Sequence, residues 1–295
     1  MLHYMLNKLG GEAVRDDGRQ ILVPAENHSK HDRSLSISIG RTGKVIVHQH
    51  NGGDWQSAMA YLRRLHLVQD DGSPLGSYAP APSVPMPCDA QKTEIASRIW
   101  AAGVPIAGTL SQIYLRRFRK IQRDVSTIGA VRHGLVPLSP YNPAIKRALP
   151  AFISRIDDAA GQLTSVEIVY LNAHGDKDLS LKLPRKSIGP IPRGSVIALD
   201  AEAETIGVGE GVPTALSVGD HFGLPVRALR GNNMRFWRPG PKVRHVLIGA
   251  DNGKGGVAYS SELKYHLDRL GVSCEIKFPP AGYDDWNTFK RKAFQ

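Results

Sequence analysis

Polar and apolar positions alternate strictly over Ser34-Leu35-Ser36-Ile37-Ser38-Ile39, the pattern of a strand with one buried face. Gly40-Arg41-Thr42-Gly43 supplies a turn, and Lys44-Val45-Ile46-Val47-His48 returns as a second strand. Asp54 then stands where a helix cap is needed, ahead of Ala58, Tyr61, Leu62 and Leu65. From Thr93 to Arg119 the period lengthens to that of a helix, broken at Gly103-Val104-Pro105 and at Gly108. It shortens again over Ala151–Ile156, Ser165–Tyr170 and Ser195–Leu199, with Gly161 and Gly175 marking turns.

The last third alternates strand and helix. Thr205–Val208, Val226–Leu229, Val243–Ile248 and Val272–Phe278 are apolar runs of strand length. Pro213 suits the first turn of a helix through Ala215, Leu216 and Val218. Tyr259, Leu263, Leu267 and Leu270 fall on one helix face. Such alternation predicts a parallel sheet flanked by helices. The expected fold is therefore α/β, with a mixed α+β region before it and a small β-hairpin/helix module first. Pro74, Pro80, Pro82, Pro85 and Pro87 crowd among glycines and serines, which reads as a semi-rigid linker. The expected parts are residues 1–72, a linker over 73–90, a helical then β middle region over 91–200, and a C-terminal domain over 201–295.

Composition narrows the function. The 295 residues are 41% hydrophobic, enough to fill more than one core. A formal charge of +11 favours a polyanionic partner, most simply nucleic acid. The two cysteines, Cys88 and Cys274, lie far apart, so no disulfide framework is implied and a reducing cytoplasm is expected. No apolar run approaches the ~20 residues of a membrane span, and the N-terminus lacks a signal-peptide pattern. No Ser-His-Asp arrangement is visible.

The candidate chemistry is acidic. Glu210 and Asp251 each follow an apolar run, and Asp284-Asp285 follows a third. Open α/β sheets bind ligands beyond the carboxyl ends of their strands, so all of these acids could share one edge. Mg²⁺ takes oxygen ligands, typically one or two carboxylates plus substrate phosphates. The plainer alternative makes Glu210 a helix N-terminal acid and Asp251 a turn residue. Basic residues supply a second theme. Arg116-Arg117-Phe118-Arg119-Lys120 suits either single-stranded nucleic acid or a charged helix end. Lys182, Arg185 and Lys186 are candidates for nucleotide or template phosphates, or a solvated face. Arg230 and Lys254 border the proposed acidic edge, Lys254 where a helix opens.

Ile206-Gly207-Val208-Gly209-Glu210-Gly211, then Ile248-Gly249-Ala250-Asp251-Asn252-Gly253, then Asp285-Trp286-Asn287 resemble the Toprim signature. The chain is most similar to the primase-like Toprim proteins of phages, plasmids and other mobile elements. Gly103-Val104-Pro105 with Tyr114-Leu115, and Arg185-Lys186-Ser187-Ile188-Gly189-Pro190, resemble upstream segments of that group. The resemblance implies that Glu210 and Asp251 hold Mg²⁺ or Mn²⁺, and that primers are made on single-stranded DNA from nucleoside triphosphates. It also implies a replicative helicase or initiator as a partner. Gly253 stands where the family has a second aspartate, a loss that Asp284 or Asp285 could offset. A nuclease and a non-catalytic nucleic-acid-binding protein remain open as rival readings.

Relatives of this kind often begin with a zinc-binding module. Here Val23, Gln49 and Gly53 occupy the expected cysteine positions, so a sulfur-rich zinc site cannot form. His28, His31, His48 and His50 leave an all-histidine site as a remote option, and zinc is not expected.

Overall fold

A computed structural model of the chain describes residues 2–13, 20–29, 32–40, 42–50, 54–75, 87–142 and 146–293. Two compact units emerge, residues 1–86 and 87–295.

The first unit contains α1 (Leu2–Leu9), β1 (Glu12–Ala13), β2 (Gln20–Val23), β3 (Leu35–Ile39), β4 (Val45–Gln49) and α2 (Trp55–Arg64). The strands form one antiparallel sheet in chain order. The expected hairpin is β3–β4, with Ile37 opposite Val47. Asp54 caps α2 as expected, accepting from the Ser57 amide at 2.8 Å. Met5, Ile21, Leu35, Ile37 and Leu62 fill the core, each contributing about 1.5–3 kcal/mol by leaving water. Pro74 still belongs to this folded part, bridging to Val68. Pro80, Pro82 and Pro85 of the expected linker lie outside the described residues, as do His31, Arg41 and Gly53.

The second unit opens with α3 (Asp89–Ala102) and the short α4 (Leu110–Ile113), which runs into a π-helical turn at Tyr114–Phe118. The breaks fall at Gly103 and Gly108, as the pattern predicts. Then β5 (Val131–Pro137), β6 (Ala148–Asp157), β7 (Leu163–Tyr170) and β8 (Arg185–Ile188) make an antiparallel meander. The remaining elements are β9 (Ile197–Ala198), β10 (Thr205–Gly209), α5 (Val212–Phe222), β11 (Val226–Ala228), β12 (His245–Gly249), α6 (Lys254–Arg269), β13 (Ser273–Lys277) and α7 (Trp286–Ala293). A 3-10 turn over Gly231–Phe236 follows β11.

The second sheet runs β13-β12-β10-β11-β9, parallel except for β9 at its edge. This is the α/β arrangement the alternating pattern predicts. One hydrophobic cluster joins the two sheets, with Leu115, Phe152 and Ile156 packed among residues that include Val212, Leu216, Val226 and Trp286. Helix α5 lies directly on the sheet. A Cβ on Gly249 would stand 2.2 Å from Val218 Cγ2, so only glycine fits there.

Candidate active site

Strand register builds the site. Gly209 of β10 is paired with Gly249 of β12, so the chain leaves both strands side by side at their carboxyl ends. Glu210 and Asp251 follow, and their side chains meet in a hydrogen bond. Burial, then the Glu210 charge, then the Asp285 charge push the Asp251 carboxyl up to about 7. Its Oδ1 is buried with no hydrogen-bond partner. Gly256 in the first turn of α6 closes the floor, since a Cβ there would lie 2.5 Å from the Asp251 carbonyl oxygen.

The two aspartates of the third motif separate. Asp285 bears on Asp251, while its Oδ1 accepts from the Thr288 amide and so caps α7. Asp284 is exposed, and its carbonyl accepts from the Asn252 amide at 2.8 Å. The Asn252 side chain donates to the Pro279 and Tyr283 carbonyls at 3.2 and 2.7 Å, which pins this loop beside Asp251. Among the described residues, no set of three or more His, Cys, Asp or Glu side chains forms a ready metal cage. The donor chemistry nonetheless fits a hard divalent cation. Two carboxylates in contact, one with an orphaned buried oxygen, repel each other until a cation or a proton intervenes, and substrate phosphates commonly complete such a shell.

A cationic wall stands against the acids. Glu167 on β7 is buried and receives Arg185 Nε at 2.9 Å and Arg185 Nη2 at 2.8 Å. It also pairs with Arg230, whose other nitrogen donates to Ser187 Oγ at 2.8 Å. Arg230 has a φ of +64°, rare outside glycine, and its amide donates to the Glu210 carbonyl at 2.7 Å. Arg185 is half-exposed, and its Nη2 lies 3.7 Å from the Cβ position of Gly211, the N-cap of α5. Guanidinium and free helix amides thus face the same space, a natural seat for phosphate. Arg119 stacks over Tyr114 at 5.0 Å and donates to its hydroxyl at 2.9 Å. Burial pushes the Tyr114 phenol up, against the pull of Arg119 and Arg185. Asn287 ties this segment to α7 and α5, donating to the Arg119 carbonyl at 2.7 Å and to Ser217 Oγ at 3.0 Å.

The structure gathers Glu210, Asp251, Asp285, Arg185 and Arg230, with Arg119 joined to them through Tyr114. It does not gather the rest of the basic candidates. Arg116 turns inward to the carbonyls of Ile121, Gln122 and Arg123. Arg117 lies exposed over Phe118, and Lys120 holds a turn at a φ of +56°. Lys186 faces the opposite side of β8, toward the Leu138 carbonyl and the Tyr170 ring, because neighbours along a strand alternate faces. Lys182 is exposed in a loop, and Lys254 is exposed at the start of α6. In the first unit His28 pairs with Asp32 at 3.2 Å, while the His48 and His50 rings meet at a tilt, 4.6 Å between centres. Ser187, Tyr114 and Asn287 lie inside the motifs of the resemblance without being singled out as site residues, whereas Glu167 carries no sequence signal; the cross-strand pairing of Glu167 with Ser187 brings these two together. A separate surface depression near Arg123 is occupied by its own ion pairs, Arg123 to Asp200 at 2.6 Å and to Asp220 at 3.2 Å.

Residues 205–293 match the Toprim domain family, and residues 90–198 match a domain of unknown function (DUF7146). No curated protein matches the chain. Solved structures similar to it include the zinc-binding and RNA polymerase domains of the Aquifex aeolicus primase, at 14% identity and a TM-score of 0.47 over 99% of this chain and 79% of that one. The primase fragment of the bacteriophage T7 primase-helicase is similar at 14% identity and a TM-score of 0.41, over 60% and 69% of the two chains. A DNA primase domain from Pseudomonas aeruginosa is similar at 13% identity and a TM-score of 0.44, over 68% and 75%. Among the described residues no helix is long and apolar enough to cross a membrane.

Proposed function

We propose that this chain, which carries a Toprim domain over residues 205–293, is a primase-like nucleotidyltransferase making short primers on single-stranded DNA. The apposed carboxylates of Glu210 and Asp251 at the carboxyl edge of a parallel sheet carry the reading. Glu210 and Asp251 would hold Mg²⁺ or Mn²⁺, with Asp285 adding negative charge in place of the aspartate that Gly253 lacks. A bound ion would orient a 3′-hydroxyl and an α-phosphate and offset charge at phosphorus. The chain's own groups supply the remainder. Arg185 and Arg230, braced by Glu167, present positive charge to nucleotide phosphates, and the amides opening α5 add donors. This reading divides the chain at 72/73, 90/91 and 200/201, and takes a replicative helicase or initiator as its partner in the cytoplasm.

The test is incorporation of labelled nucleotides on single-stranded DNA with Mg²⁺ or Mn²⁺, comparing the wild type with Glu210→Ala. Short products that vanish in the variant support the reading. Absence of products from the wild type refutes it. Gly253, standing where the family has a second aspartate, favours one second reading, a non-polymerising nucleic-acid-binding protein. That reading expects DNA binding that needs no divalent ion and survives Glu210→Ala. Loss of DNA strands without incorporation would instead identify a nuclease.

A further inference from the structure

The 3-10 turn at Gly231–Phe236 begins at the acidic site, where the Cβ position of Gly231 lies 3.2 Å from Glu210 Oε1, and leads away from it. At its far end Phe236 is clasped by two guanidiniums, Arg193 at 4.7 Å and Arg235 at 4.9 Å from the ring centre. Arg235 Nη1 reaches Glu262 on α6 at 2.9 Å. One turn further along α6, His266 is held below its ordinary pKa by burial and then by Arg238 and Arg269, so these two cations converge on it. Its Nε2 is buried without a partner. Arg269 lies over Tyr265 at 5.8 Å, and Tyr265 is 65% exposed.

Among the described residues, no carboxylate pairs with Arg193, Arg238 or Arg269. Arg238 and Arg269 both bear on His266, and unpaired like charges that share a neighbour repel unless an anion lies among them. Phosphates spaced along a strand would offset that repulsion at several points at once. The partly exposed rings of Phe236 and Tyr265, interleaved with the arginines, suit unpaired bases, whose faces a duplex hides. From Glu262 to Arg269 the helix face covers about 10 Å, room for more than one nucleotide.

We infer that Arg193, Phe236, Arg238, Tyr265 and Arg269 form a track for single-stranded nucleic acid running from the acidic site over the outer face of α6. The inference rests on the nucleic-acid reading above but does not require polymerisation.

The experiment is fluorescence anisotropy of labelled oligothymidylates, one short and one long, against salt, with wild type, Arg238→Ala/Arg269→Ala and Tyr265→Ala. Circular dichroism and melting confirm that the variants are folded. The double variant binds the long strand roughly tenfold more weakly at low salt, and its salt slope falls by about 1.4, or 0.7 for each of two phosphates. Tyr265→Ala lowers affinity about fivefold or more with little change in slope. Short-strand incorporation survives in both variants. Unchanged long-strand affinity overturns the inference, and so does an equal loss of affinity for duplex DNA or polyglutamate. Long-strand binding that depends on Arg238 and Arg269, with no incorporation by the wild type, sinks the polymerase and leaves the track standing.

Discussion

Replacing Asp251 with asparagine probes the repulsion between the acids, which underlies the proposal that they hold a cation. Without a divalent ion the Asp251 carboxyl titrates near 7 rather than 3.8, because of its burial, Glu210 and Asp285. About three pKa units correspond to an upper bound of ~4 kcal/mol, and partial contact with water reduces this to roughly 2 kcal/mol. A carboxyl raised in the folded state has its full stability below the unfolded value. That stability drains as pH rises from 3.8 to about 7 and stays lost above it. Asparagine preserves the hydrogen bond to Glu210 and carries no charge. In EDTA the variant therefore matches the wild type near about pH 4 and exceeds it by roughly 2 kcal/mol near about pH 8. For a unit of this size that is a rise in Tm of about 4–8 °C. Added Mg²⁺ raises the wild-type Tm at the higher pH and leaves the variant nearly unmoved. Differential scanning calorimetry reads all four conditions. A variant no more stable than wild type at the higher pH, or equally shifted at both, refutes the reasoning.

Gly253→Asp is expected to fit, since its Cβ meets nothing within 4 Å and its φ is −76°. At the N-cap of α6 the change adds only a few tenths of a kcal/mol to stability, but calorimetric titration finds Mg²⁺ bound about tenfold more tightly, and unchanged affinity counts against Gly253 as the weak point. Glu167→Gln strips Arg185 and Arg230 of their shared buried counter-charge. Urea unfolding then shows a loss of about 2–4 kcal/mol, and a loss under about 0.5 kcal/mol would show that the wall stands without it.

The acids of the C-terminal site were legible because each follows an apolar run, and strand ends in parallel sheets converge whatever packs around them. Glu210 and Asp251 needed only that rule. The hairpin β3–β4 and the Asp54 cap were equally plain, being set by alternation and a single local hydrogen bond. Helix α1 and strand β2 were not seen: eight and four residues are too few for a period to declare itself. The braces were hidden for a different reason. Glu167 reads as one polar residue in an apolar strand, and nothing local reveals that Arg185 and Arg230 will meet it from 18 and 63 residues away. Lys186 shows the converse failure, because a basic run on a strand is divided between two faces by the pleat.

The hydrogen bond from Asn287 to the Arg119 carbonyl joins residues 168 positions apart. A link of that separation closes a loop spanning most of the second unit, so the entropic cost of closing it must be met before the bond contributes anything. Segments near Arg119 can collapse and the meander can pair early, yet Arg119 is not tied to α5 until α7 docks. Contacts of such long range also slow the final folding step. The rim of the cleft at Arg119 is therefore fixed late, after the two sheets have each formed.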